Sequence, residues 1–399
     1  MALSKNVIQI VFNLLSGKLT SERFLSLTNK ELDFLVDIFI FGRIENRFLD
    51  WLIENKLKER ITERQLKILL RYSQMRALNN KKIMSDYKRL SQIFNSSKIS
   101  YTPLKGVHLN LLNKSFTRNI RDIDILVNPN DLEKSVKVAN AAGFFFKSRL
   151  HEQYDFKNLE GYDLPQLFNR NGTCLEIHFR ISDSDKYHFA KLILDNTKEY
   201  KSHSINNSLT SPELLFLHLI FHATTKQGLD VGIQVIDDIL QIFKIEDFSI
   251  EKAKSLSKTL NLQEELEIFL LILAEYDLQN RFLIKKSSNK TFNNEFLDEF
   301  VDLLMLNTST NSSLKVLSKD FFSRIKRVLL YNSKVHWNKN FLKSIIKKIY
   351  NILNTFKKYI VIIINLIFKK RFRNDNFRVR RILQIINHEK EYSSRSKES

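Results

Sequence analysis

The sequence predicts an α+β protein in which a small sheet lies between two helical regions. Three observations predict it. Apolar residues recur at helical spacing up to about residue 97 and again from Ser211. Between them, short stretches alternate apolar and polar side chains with a period of two. Only 8 glycines and 4 prolines occur in 399 residues, which favours long helices and few tight turns. A hydrophobic content of 43% supports a sizeable core and argues against wholesale disorder.

Taken in order, residues 1–97 read as an N-terminal helical region. Ser21 and Thr62 are suitable N-caps. In the run around Thr62, the residues Ile61, Leu66, Leu69, Leu70 and Met75 recur at near-helical spacing and predict one apolar face. Residues 98–205 form the predicted mixed core. Ile99 to Thr102 is a strand ended by Pro103, and Gly106 to Leu112 suits a helix. Ile120 to Val127 sets Asp122 and Asp124 against Ile123 and Ile125, the pattern of a half-buried strand, and Asn128-Pro129-Asn130 breaks it. Asp131 to Ala142 is a helix stopped by Gly143. Phe144 to Phe146 begins a strand, with Gln153 to Phe156 as its expected partner. Thr173 to Ile181 places Leu175, Ile177 and Phe179 on one face and Cys174, Glu176, His178 and Arg180 on the other.

Residues 206–330 are the predicted C-terminal helical domain. It opens at Ser211-Pro212-Glu213 with proline at the first helical position, and two further helices cover roughly 231–244 and 249–275. Residues 331–399 read as a basic amphipathic tail. Of the net charge of +20, the stretch from Lys334 to Ser399 carries +13, leaving +7 for the remaining 333 residues. The basic character therefore belongs mainly to the tail and says little about the body. The most apolar part of the tail, Tyr359 to Phe368, is ten residues long, whereas a spanning helix needs about 20. Peripheral membrane contact through residues 341–381 and helical packing rank above nucleic-acid binding, because the apolar content is high.

Cys174 is the single cysteine, so intramolecular disulfides and polythiolate zinc sites are excluded. A reducing, cytoplasmic compartment is expected, with the tail allowing attachment at the inner membrane surface. No glycine pattern of a dinucleotide or Walker-type loop is present, and no nucleophile elbow. His218 and His222 lie four apart on one helix face but lack an intervening Glu and an evident third ligand, so a core or cleft-lining role is expected. Asp237 and Asp238 are expected to cap a helix or face the cleft.

The segment that carries chemistry runs from Leu104 to Gly143. It holds Leu104-Lys105-Gly106, Arg118, and Arg121-Asp122-Ile123-Asp124-Ile125-Leu126-Val127; Leu175-Glu176-Ile177-His178 follows downstream. Two aspartates one residue apart on a strand share a face at roughly 7 Å and repel one another. A divalent cation removes that penalty, and a third carboxylate on a neighbouring strand would complete a two-metal site. Glu176 suits that place; an ordinary ion pair on a sheet face is the alternative. The Lys105-Gly106 turn opens a helix whose N-terminus favours anions, and Arg118 could clamp phosphate oxygens. His178 could contact nucleotide, orient a carboxylate, or simply be structural.

In this order, LKG, Arg, D-I-D-I-L-V, helix, Gly and Glu-x-His, the segment resembles the uncharacterised nucleotidyltransferase family of the DNA polymerase beta superfamily. The run Leu214 to His222 with Asp237 and Asp238 is similar to the helical half of that family. The resemblance covers about Lys98 to Phe243. It implies a polymerase beta-type core, a small mixed sheet with helices, flanked by N- and C-terminal helical regions. It also implies a bacterial enzyme with Asp122, Asp124 and Glu176 as catalytic metal ligands, and Lys105, Gly106, Arg118 and His178 toward substrate. The implied cofactor is Mg2+ or Mn2+, and the implied substrates are an NTP, ATP foremost, and an unidentified hydroxyl acceptor. Two departures stand out: Lys105-Gly106 replaces the superfamily's Gly-Ser, and Glu176 replaces the more usual Asp. A non-catalytic binding module and a toxin–antitoxin component acting on protein or tRNA are the competing expectations.

Overall fold

The computed structural model describes residues 5–112, 118–147, 156, 162–181, 188–202, 205–226, 232–275 and 301. The chain divides into two units, Met1–Thr308 and Ser309–Ser399, and every described residue belongs to the first. The expectations for the basic tail, including membrane contact through residues 341–381, lie outside the described residues. Among the described residues no helix is long and apolar enough to cross a membrane.

The fold is α+β with a small mixed sheet. Five helices come first: α1 (Lys5–Ser16), α2 (Ser21–Leu25), α3 (Asn29–Phe41), α4 (Glu45–Glu54) and α5 (Glu63–Ser96). Thr62 caps α5 through a complete capping box with Gln65, whereas α2 is capped by Thr20, so that Ser21 is its first residue instead. The apolar face predicted for α5 is only partly right. Leu69 is fully buried, but Leu70 and Met75 are 40% and 54% exposed, because the first half of this 34-residue helix covers the body with a narrow stripe.

The sheet is ordered β1-β2-β5-β4-β3: β1 (Tyr101–Pro103), β2 (Ile123–Val127), β5 (Cys174–His178), β4 (Leu167–Phe168) and β3 (Phe145–Phe146). Only β2 and β5 pair in parallel; the other neighbours are antiparallel. Helices α6 (Lys105–Leu112) and α7 (Leu132–Ala141) connect the first strands, and Gly143, at φ +83°, ends the turn after α7. The partner of β3 is β4, which the sequence reading did not anticipate. Residues 153–155 of the expected partner lie outside the described residues.

Beyond the sheet come α8 (His188–Asp195), a hairpin of β6 (Lys198–Ser202) and β7 (Ile205–Leu209), α9 (Pro212–Phe221), a π-helical turn (His222–Lys226) and α10 (Gln234–Ile242). Ser211 caps α9 with Pro212 at its first position, as expected. The helix expected over 249–275 is two, α11 (Ile250–Thr259) and α12 (Gln263–Glu275), parted where Asn261 takes a left-handed φ of +55°.

Two hydrophobic clusters organise these layers. One joins the N-terminal helices to α9–α12; the other fills the space between the sheet, the second half of α5 and α7. Strand β2 separates them. Ile123, Ile125 and Val127 face the sheet-side cluster, while Leu126 belongs to the helical one. The half-buried strand expected from the alternation is therefore buried on both faces, and Asp124 is only 2% exposed. Helices covering the polar face produce the difference, and they enclose a carboxylate that alternation alone would leave in water.

Candidate active site

The site is built on the parallel pair. In its register Asp124 is the Cα partner of Glu176, and Leu126 of His178. Residues two apart on a strand share a face, so Asp124, Glu176 and His178 emerge together. His178 Nε2 lies 2.9 Å from Asp124 Oδ1 and 3.6 Å from Glu176 Oε2. Donor atoms of these three residues all fall within 4.8 Å of one another, a group able to hold a metal ion. Gln166 Nε2 donates to Glu176 Oε1 at 2.7 Å and fixes the far side of that carboxylate. Sequence reasoning passed over Gln166, since nothing in its spacing marks it.

The Leu104-Lys105-Gly106 turn is tied directly to this strand. The Leu104 amide donates to the Asp124 carbonyl at 2.9 Å, and Lys105 Nζ donates to Asp124 Oδ1 at 2.6 Å. Lys105 begins α6 with a φ of +48°, a left-handed conformation unusual for a residue with a Cβ. Both contacts to the Asp124 carboxylate reach Oδ1; among the described residues no hydrogen bond reaches Oδ2.

Electrostatics separate the three carboxylates. Burial pushes all of them up. At Asp124 the ammonium of Lys105 and the bond from His178 outweigh burial and hold the acid well below the ordinary carboxylate range. At Glu176 the hydrogen bond from His178 and the charge of Lys105 likewise prevail. Asp122 is half-buried immediately before β2, outside the close group, and near enough for Asp124 and Glu176 to act on it. Burial and their negative charge raise it to about 6. Burial alone would lower Lys105, but Asp124, Glu176 and Asp122 overcome it and keep the lysine protonated. The half-buried thiol of Cys174 is pushed upward by burial and by Glu176, Asp122 and Asp124, which makes it a poor nucleophile.

Arg118 makes a contact that the sequence did not disclose. Its Nε donates to both oxygens of Asp238, at 2.8 and 2.9 Å, joining the approach to β2 to α10. Gly106 makes room for it: a Cβ at that position would overlap Arg118 Nη1. Asp238 is buried and raised to about 6 by that burial, against the opposing charge of Arg118. His218 is buried against Phe189 and His222, with ring centroids 6.5 and 6.2 Å apart, as a core residue would be.

The chain belongs to the uncharacterised nucleotidyltransferase family, which matches residues 28–276, more than half of its length. It is also similar to a solved antigenic nucleotidyltransferase-like protein from Paracoccidioides brasiliensis. The identity is 16% and the TM-score 0.29, over 47% of this chain and 93% of that one. No curated protein matches the chain.

Proposed function

We propose that this protein transfers a nucleoside monophosphate from an NTP, ATP foremost, to a hydroxyl acceptor. The acceptor oxygen bonds to the α-phosphorus, the bond from that phosphorus to the bridging oxygen breaks, and pyrophosphate leaves. The observation that carries the reading is the convergence of Asp124, Glu176 and His178 on adjacent parallel strands, with Asp122 beside them, inside the family-matched segment.

The donor set fits a divalent cation. Asp124 and Glu176, with Asp122 from the neighbouring turn, would hold Mg2+ or Mn2+; an imidazole among oxygen donors suits manganese at least as well as magnesium. When bound, such an ion supplies charge neutralisation at the phosphates and makes an acceptor hydroxyl more acidic. The protein's own groups do the rest. Gln166 and His178 hold the carboxylates in register. Lys105 offsets the negative charge of the cluster and places an ammonium at the start of α6, where a phosphate oxygen would meet it. Asp122, raised toward neutrality by its surroundings, is the carboxylate suited to take the acceptor's proton.

The test is incubation of the full chain with labelled NTPs and Mg2+ or Mn2+, with and without extract as acceptor source. Labelled acceptor and pyrophosphate are expected, both lost in an Asp122→Asn/Asp124→Asn variant. No metal-dependent NTP binding and no pyrophosphate under any condition would reject the reading.

A further inference from the structure

Helix α5 turns one side to solvent along most of its 34 residues. Packing fixes which side that is. Ile83, Tyr87, Leu90 and Phe94 are buried in the sheet-side cluster. Asn79 Nδ2 donates to the Ile120 carbonyl at 3.1 Å, and Asn80 Nδ2 to the Arg118 carbonyl at 2.6 Å. Held this way, the helix cannot roll to bury its outer side. There Leu70, Met75 and Leu78 are 40%, 54% and 71% exposed, within about 12 Å of helix rise. A single exposed apolar side chain is ordinary, but three on adjoining turns form a small apolar patch.

Cations flank the patch at both ends. Arg64, Lys67 and Arg71 precede it, and Lys81 and Lys88 follow it. All five are exposed, and among the described residues none has a carboxylate within ion-pair distance. Glu63 is the one exposed acid on the helix, since Asp86 is buried. From Arg64 to Lys88 the helix rises about 36 Å. Residues 64, 67, 71, 75 and 78 follow one another at steps of three or four, so they form one row, along which a second helix can pack. At the near end of that row, Arg64, Lys67 and Arg71 line a depression of about 430 Å³ together with Glu63 and Ile68.

We propose that the outer side of α5 docks an acidic amphipathic helix of another protein. Apolar residues at the centre of that helix meet Leu70, Met75 and Leu78, and Asp or Glu side chains toward its two ends meet the arginines and lysines. An apolar centre within a charged rim is the anatomy of a protein interface, where Met and Arg are enriched. Other occupants match this surface less well. A second copy of the chain would set the same cations against these. A nucleic acid would answer the cations but not the apolar patch, and no exposed aromatic ring stands on α5 for bases to stack on. A flat bilayer would bridge the depression instead of filling it, and three apolar side chains are few for insertion. The proposal stands apart from the nucleotidyl-transfer reading and does not depend on it.

The experiment measures fluorescence anisotropy of a labelled helical peptide of about 25 residues, long enough to follow the row. Its leucines stand at three- and four-residue steps in the middle, with glutamates toward both ends. A scrambled peptide of the same composition, oligouridylate and phosphatidylglycerol–phosphatidylcholine vesicles are the comparison ligands. Each is titrated with the full chain, with Met75→Ser/Leu78→Ser, with Arg71→Glu/Lys81→Glu, and with the charge-matched control Lys191→Glu/Lys258→Glu on α8 and α11; circular dichroism confirms folding. The control carries the same basic tail, so a loss confined to the α5 variants belongs to α5. The patterned peptide is expected to bind the unaltered chain and the control alike, and both α5 variants about tenfold or more weakly. The scrambled peptide should bind the unaltered chain weakly as well. If a charge-reversed variant does not fold, Arg71→Gln/Lys81→Gln replaces it, with a loss in the same direction expected. No binding of the patterned peptide, equal binding of the scrambled one, or no loss in the α5 variants overturns the proposal. Loss of oligouridylate or vesicle binding in the α5 variants with peptide binding unchanged also overturns it, and assigns the surface to a nucleic acid or a membrane.

Discussion

Asp124 and Glu176 are Cα partners across the parallel strands β2 and β5, and one imidazole nitrogen, His178 Nε2, lies 2.9 Å from the first carboxylate and 3.6 Å from the second. Two buried acids held this way remain charged only because Lys105 and His178 offset them. The site is therefore an electrostatic balance, and disturbing any member has a measurable consequence.

Acid stability divides the three carboxylates. Asp122 is raised to about 6, so its protonated form is favoured by folding. That contribution is whole below the ordinary aspartate range and is lost as pH rises through about 6. Asp124 and Glu176 are lowered, so their contribution is present above the ordinary range and lost on acidification. In chelator at pH 8, Asp122→Asn is expected to unfold at higher denaturant than the unaltered chain, by on the order of 1–3 kcal/mol. The difference should vanish near pH 4, and urea melts across pH 4–8 would show it.

Lys105 tests the same balance from the cationic side. Its side chain is 14% exposed and that of Asp124 2%, so removing the ammonium strips a nearly buried acid of its main counter-charge. Lys105→Met is expected to cost about 2–4 kcal/mol in chelator. Added Mn2+ should recover part of that loss, and thermal melts with and without the ion would reveal a larger metal-induced shift than the unaltered chain gives.

Gly106 and Arg118 should be coupled. A methyl at 106 would overlap Arg118 Nη1 and drive the guanidinium off Asp238. Gly106→Ala is expected to destabilise by about 1–3 kcal/mol. In a background already carrying Arg118→Ala the same methyl should cost much less, and a double-mutant cycle by denaturant unfolding measures the difference.

Cys174 offers a reporter of the cluster. Its thiol is raised by burial and by the three nearby acids, so alkylation by iodoacetamide at pH 8 should run at least about tenfold slower in the folded chain than in urea. Neutralising the acids in an Asp122→Asn/Asp124→Asn variant should quicken it, read by mass spectrometry.

Much of this protein was legible in the order of its residues. Thr62 with Gln65 announced the start of α5, Ser211-Pro212 the start of α9, and Gly143 the end of the turn after α7. Each depends on bonds between residues a few positions apart, which spacing records. The alternation around Asp124 and Glu176 likewise placed both on strands with the correct face. The β6–β7 hairpin was missed because Lys198–Ser202 and Ile205–Leu209 are largely polar and carry no period-two apolar signal.

Only the tertiary structure decided what those side chains meet. Arg118 reaches an aspartate 120 residues away, Gln166 steadies Glu176 from the residue before β4, and Asn119 pins the turn that holds Arg43. It also decided that the polar face of β2 would be covered by helices, which turns Asp124 from a solvated acid into a buried one. Periodicity reports which way a side chain leaves its own backbone. Its partner, its burial and hence its charge depend on elements brought beside it by folding, and no local pattern encodes that approach.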